Sequence, residues 1–216
     1  MTDFQMKILK YSAALRRRFL FSDGGNYSVL HEAIARYNFV VYDLTYYEPL
    51  LENIKSILDT GFNPNTKAES ERTFLLPGRT VSGWYVDGGI IPLMLSTKLS
   101  VSDLLINYGS DVNAHDIYGR TALMLQPFLR EGNDITSLLI RNGANVNIQD
   151  NTGQTALFYA IYCVNIEQIK LLIENGADVN IQDKKGFSPL FAANIRDTYD
   201  EPRNEMIELL KNAGQN

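Results

Sequence analysis

The side chains best able to ligate a metal or to act as nucleophile and base are His31, His115 and Cys163, and they lie 84 and 48 residues apart. A transition-metal site needs three or four such ligands brought together. A thiolate nucleophile needs a neighbouring base or cation to activate it, and no histidine stands near Cys163 in sequence. His115 reads as an exposed loop residue. Carboxylates are plentiful, yet Asp116, Asp150 and Asp183 recur at spacings of 34 and 33, and a structural cause suffices for a recurring residue. No isolated acid–base pair stands out. The glycine-rich stretch from Gly78 to Gly89 could cradle a phosphate, but it lacks the Gly-Lys-Ser/Thr ending and the strand-to-helix context of a phosphate loop. Around Trp84 and Tyr85 only Arg79 and Asp87 are ionisable. The expectation is therefore no catalytic residue, no metal and no cofactor.

What remains is a chain built to fold and to present a surface. Hydrophobic residues make up 45% of the 216 residues and charged ones 21%, so the chain has the apolar content that disordered segments lack. The formal net charge of −5 argues against nucleic acid as a main partner, because phosphate binding needs a strongly basic face. The one basic run, Arg16-Arg17-Arg18, reads as the solvated face of an N-terminal helix, with a contact or targeting element as the alternative. A single cysteine cannot form an internal disulfide and fits a reducing compartment. No stretch approaches the length of a membrane span, and residues 1–25 lack the parts of a secretory signal. The expected location is cytoplasmic, with the nucleus open.

The elements that carry this surface follow a fixed period. Asn113, Asn147 and Asn180 end similar phrases at spacings of 34 and 33, and Gly119, Gly153 and Gly186 share those spacings. Between the markers lie two apolar segments. Thr155 to Ile161 opens one helix, and Ile166, Ile169, Leu172 and Ile173 form the 3.6-residue stripe of a second. Gly176 then ends it, since glycine takes a left-handed backbone at no Cβ cost. Each unit reads as helix, short turn, helix and polar hairpin.

These phrases resemble the ankyrin-repeat family. Gly119-Arg120-Thr121-Ala122-Leu123, Gly153-Gln154-Thr155-Ala156-Leu157 and Gly186-Phe187-Ser188-Pro189-Leu190 match its Thr-Pro-Leu-His-like helix start, and Gly176-Ala177-Asp178-Val179-Asn180 matches its unit ending. The implied fold is an all-α repeat solenoid, a stack of helix-turn-helix units with connecting β-hairpin loops. Thr121, Thr155 and Ser188 are placed to cap first helices with their hydroxyls, and Leu123, Leu157 and Leu190 to bury between units. His31 falls in the family's structural histidine position.

The same template gives a capping helix or helices over 1–25 and a first unit over 26–65, with an insertion from Asn38 to Pro49. A degenerate second unit follows over 66–113, with an insertion in 66–89. Further units span 114–147, 148–180 and 181–216, the last serving also as C-terminal cap. Insertions in solenoids map to loops on one face, often the binding face. Trp84 and Tyr85 either pack over the neighbouring unit or serve as a partner anchor.

The resemblance implies that another protein binds the concave surface. The family's contact positions, carried onto this chain, are Ile117, Tyr118 and Arg120; Asn151, Thr152, Gln154 and Tyr162; and Lys184, Lys185 and Phe187. Ile117, Tyr118 and Phe187 are the informative ones, because a hairpin tip has no structural need for large apolar side chains unless they pack on the adjacent hairpin. The expected role is an adaptor or inhibitor acting by occupancy, monomeric when alone. Irregular inserts of this kind resemble ankyrin proteins of large DNA viruses and intracellular bacteria that act on host proteins, which would place the chain in host cytoplasm. The F-box-like segment of some viral members is not seen, so ligase recruitment is not expected. An acidic immunity protein or enzyme inhibitor masking a basic site is the alternative. The resemblance further marks Asn113, Asn147 and Asn180 as possible sites of asparaginyl hydroxylation, with Leu105, Leu139 and Leu172 eight positions back; Asn147 departs in having Asn145 where an acidic residue is usual.

Overall fold

The computed structural model describes residues 30, 31, 33, 34, 47–68, 88–128, 132–195 and 201–214. The expected cap over 1–25, the phrase from Tyr27 to Val29, Trp84 and Tyr85, and most of both insertions lie outside the described residues.

Nine helices follow in chain order among the described residues: α1 (Tyr47–Asp59), α2 (Pro92–Leu95), α3 (Leu99–Asn107), α4 (Ala122–Leu125), α5 (Gly132–Arg141), α6 (Ala156–Tyr162), α7 (Ile166–Glu174), α8 (Pro189–Asn194) and α9 (Glu201–Ala213). A 3₁₀ turn, Gln126–Phe128, prolongs α4. Leu30, His31, Ala33 and Ile34 are also helical. Helices α2, α4, α6 and α8 pack in sequence on one another as an inner layer, and α1, α3, α5, α7 and α9 do the same as an outer layer. Helices α3, α7 and α9 are each folded against the inner helix that precedes them, and α5 against the 3₁₀ turn that prolongs α4.

The 3.6-residue stripes explain this layering. Ile169 and Leu172 of α7 are fully buried, as are Ile135 and Leu139 of α5, Val101 and Leu105 of α3, and Ile54 of α1. Leu30, Leu93, Leu123 and Leu157 occupy the same slot in successive inner helices and are all buried. Each such side chain contributes roughly 1.5–3 kcal/mol on burial. Leu190 departs from the expectation that it buries between units: it is half-buried and lines an open pocket with Val179, Asn180 and Leu210. No described unit lies beyond it to cover that face. A polar pair is buried between outer helices as well, where Gln168 Nε2 donates to Thr136 Oγ1 at 2.6 Å.

The connecting loops contain no assigned strand among the described residues, only an isolated antiparallel bridge between His115 and Thr121. Each loop turns back on itself through two backbone bonds, Asp116 N–H to Arg120 C=O and Gly119 N–H to Asp116 C=O, both at 3.0 Å, with the corresponding pairs in the loops of Asp150 and Asp183 all at 2.9 Å. Two sequence expectations are corrected. Ser188 caps α8 through Phe191 N–H at 3.2 Å, but Thr121 and Thr155 make no side-chain cap. Both threonines are packed inside the core, so their stiff β-branched side chains follow packing rather than capping, and Thr155 Oγ1 is left without a partner. In addition, α1 begins at Tyr47, so the last residues assigned to the first insertion belong to the helix. Pro49 is tolerated there because first-turn N–H groups have no helical partner.

Candidate functional site

The loops between units are organised by the recurring aspartates. Asp116 Oδ1 accepts the N–H groups of Tyr118 and Arg120, each at 2.9 Å. Asp150 Oδ1 accepts those of Thr152 at 2.7 Å and Gln154 at 2.9 Å, and Asp183 Oδ1 those of Lys185 and Phe187 at 2.9 Å. All three carboxylates are buried beneath their own turn. A carboxylate that accepts several N–H bonds is a structural device. Arg120 also pairs with Asp116 Oδ2 at 2.7 Å, and the Tyr159 hydroxyl donates to Asp150 Oδ2 at 2.7 Å. Burial, reinforced by the bond to Asp150, pushes the Tyr159 hydroxyl far above the ordinary tyrosine range, so it stays a proton donor.

Successive loops are then joined edge to edge. Ile117 N–H donates to Gly88 C=O at 3.2 Å, Asn151 N–H to Tyr118 C=O at 2.7 Å and Lys184 N–H to Thr152 C=O at 2.9 Å. Gly119 and Gly153 make this approach possible. Both have positive φ, and a Cβ on Gly153 would stand 2.7 Å from Lys184 N, one on Gly119 2.8 Å from Asn151 Oδ1. The result is a continuous row of loop tips above the inner helices.

The tails form a second row of joints. Asn113 Nδ2 donates to Gly143 C=O at 3.0 Å while its Oδ1 accepts Asn145 N–H at 2.8 Å. Asn147 repeats this with Gly176 and Asp178 at 2.9 and 2.8 Å, and Asn65 with Gly109 and Asp111 at 2.9 and 2.7 Å. Asn113 and Asn147, two of the three asparagines singled out for hydroxylation, are thus clasped to the next unit. Asn180 is exposed and bonds Asp178 only through its own N–H, at 2.8 Å.

On this scaffold, seven large apolar side chains are exposed among the described residues: Leu99 at 37%, Ile117 at 53%, Tyr118 at 44%, Tyr162 at 40%, Phe187 at 36%, Phe191 at 42% and Ile195 at 55%. Six of the seven lie on loop tips or inner helices, and only Leu99 lies on an outer helix. Several are held in place. Arg120, fixed by Asp116, lies over the Tyr118 ring at 4.8 Å. Gln154 Nε2 donates to the Tyr162 hydroxyl at 2.8 Å. Burial, then the charge of Asp183, raises the Tyr162 pKa. The Phe187 and Phe191 rings stack at 4.4 Å.

The contact residues expected from sequence separate into two groups. Ile117, Tyr118, Tyr162, Phe187, Lys184 and Lys185 are exposed on the tip and inner-helix side. Asn151, Thr152, Arg120 and Gln154 have polar groups engaged in holding the loops: Asn151 Nδ2 donates to Ile117 C=O at 2.8 Å and the Thr152 hydroxyl to Asp150 at 2.7 Å. Phe191 and Ile195 were not singled out from sequence. Phe191 follows Phe187 by four residues, which on a helix start places both on one side, and that spacing was the available signal. The second insertion springs from the same edge: Ala68 N–H donates to Ile90 C=O at 2.9 Å and Gly89 N–H to Ala68 C=O at 2.7 Å, so its base takes the place of a loop tip.

The described residues include no cluster of three or more His, Cys, Asp or Glu able to hold a metal. His31 is buried, its Nε2–H donating to Ile90 C=O at 2.9 Å. His115 is exposed, and Cys163 is half-buried and not in a disulfide.

A family model described as ankyrin repeats (3 copies) matches residues 93–183 and 128–216. No curated protein matches the chain.

Proposed function

Because the chain belongs to the ankyrin-repeat family, whose repeats are generally protein–protein interaction modules and typically non-catalytic, we propose that it is an adaptor or inhibitor that works by occupancy, holding a partner protein against its loop tips and inner helices. The observation that carries this reading is the one-sided placement of the exposed large apolar side chains, six of seven on that surface. Outer helices α3, α5, α7 and α9 turn their apolar stripes inward, whereas Tyr118, Tyr162, Phe187 and Phe191 stand out. Pre-ordered aromatics lose little side-chain entropy on binding and are the anchors that dominate interfaces.

A Tyr118→Ala/Phe187→Ala double variant tests the assignment. Neither side chain is part of the buried core, so helical content and unfolding midpoint should stay close to those of the parent chain. In a pull-down from the native cell's lysate, capture of the partner should fall at least about tenfold. Equal capture by both chains would move the binding surface elsewhere.

A further inference from the structure

Negative charge on the described surface is segregated, lying on the side opposite to most of the apolar exposure. Every exposed carboxylate among the described residues lies on an outer helix or a tail, Asp103, Asp134, Glu167, Glu174, Asp178 and Glu205 among them. Loop tips and inner helices show none. Their three carboxylates, Asp116, Asp150 and Asp183, are buried with lone pairs turned to their own N–H groups. What this side does expose is cationic. Lys184 and Lys185 sit on the last loop tip, both exposed, in the same turn as Phe187 and joined by backbone to the loop that holds Tyr162 through Gln154.

The corner of units four and five therefore offers a ligand two things together. One is an apolar platform of Tyr162, stacked Phe187 and Phe191, and Ile195. The other is a pair of lysine ammonium groups on flexible stems. On a chain of net charge −5, the outer helices and tails mix exposed Lys55, Arg141 and Lys211 with a larger set of exposed carboxylates, whereas the tip side exposes cations with no carboxylate among them, so charge steers an acidic partner to the platform. A basic partner would be drawn to the opposite side of the stack. We infer that this corner docks a segment of a partner protein in which acidic side chains flank an apolar anchor. The inference rests on the proposed function and supplies the chemistry of the partner.

Random dodecapeptides displayed on phage and selected on the immobilised full chain at low salt test it. The enriched peptides should carry Asp or Glu beside Leu, Phe or Trp. Their affinity should drop about tenfold with Lys184→Glu/Lys185→Glu, whose side chains hold no part of the fold, and should weaken as salt is raised. Binding should be lost with Phe187→Ala/Phe191→Ala, or with Ile195→Asp if that pair proves to perturb the helix. Peptides without an acidic excess that tolerate the lysine reversal but not the apolar variants would overturn the inference and leave the proposed function standing. Peptides indifferent to both sets would overturn both. Failure to enrich any peptide would overturn the inference, with the pull-down still deciding the broader reading.

Discussion

The interior joints of the stack and its last described joint carry the same markers, Asp, Gly and Asn at matching positions, yet use them differently. Asn147 clasps the next unit through both ends of its amide, whereas Asn180 makes only a local backbone bond. Gly153 faces Lys184 N so closely that no Cβ fits, whereas a Cβ on Gly186 would meet nothing nearer than Gln182 Oε1 at 3.9 Å. Leu157 is fully buried and Leu190 only half so. The lesson is that a repeat marker has two components: a local one, which holds its own turn, and a neighbour-dependent one, present only where a matching loop or tail of the next unit stands opposite it.

The largest expected effect is at the glycines. Gly153→Ala combines a left-handed backbone with a clash against the next loop and should cost about 3 kcal/mol, against about 1 kcal/mol for the left-handed backbone alone in Gly186→Ala. Urea unfolding of the two variants reads the difference, and equal costs would mean that the loops do not stack as described. A smaller effect is expected at the tails. Asn147→Ala removes two inter-unit hydrogen bonds and should cost about 1–2 kcal/mol, while Asn180→Ala should change stability by only a few tenths, about 0.3 kcal/mol. A cost at Asn180 matching that at Asn147 would break the comparison.

The smallest effect extends the contrast to the other end of the stack. Burial holds His31 below the ordinary histidine value, with the bond to Ile90 partly offsetting it. A group whose folded pKa lies below its unfolded value favours folding in its neutral form. That contribution is present above the ordinary value of 6.5 and is lost as pH falls below it. The thermal midpoint of the parent chain should fall between pH 7 and pH 5 by more than that of His31→Gln, and amide protection should drop around Ile90 before it drops in α8. Parallel curves would remove His31 from the account.

The period, the helix pairs and the aspartate turns were legible because each marker acts on its own turn: Asp116 reaches only to residues 118 and 120, a distance that spacing alone exposes. The clasp by Asn147 reaches 29 and 31 residues on to Gly176 and Asp178, and nothing local reveals it. The same limit explains the capping error, since Thr121, Thr155 and Ser188 look alike in sequence and differ in how tightly the stack encloses them. Val164, which reads as an ordinary apolar residue, adopts φ 55° between α6 and α7, a left-handed backbone that no spacing announces. At the surface, Ile117, Tyr118 and Phe187 were legible because large apolar residues at turn positions are out of place. Phe191 was not, because an apolar residue on an inner helix reads as core until the neighbouring unit is seen not to cover it, and the same holds for Ile195 at the C-cap of α8.

The joint made by Asn65 across to Gly109 and Asp111 has the same bonds as those made by Asn113 and Asn147, although the unit it spans is longer by an insertion. The three seams clasped by Asn65, Asn113 and Asn147 are thus interchangeable with one another. In hereditary terms, duplication or loss of a whole unit recreates a seam already present, and residues gained between Ala68 and Gly88 alter no seam at all. Such a chain can lengthen its binding edge, or grow a new arm from it, in single genetic events that leave the stack's internal bonding unchanged.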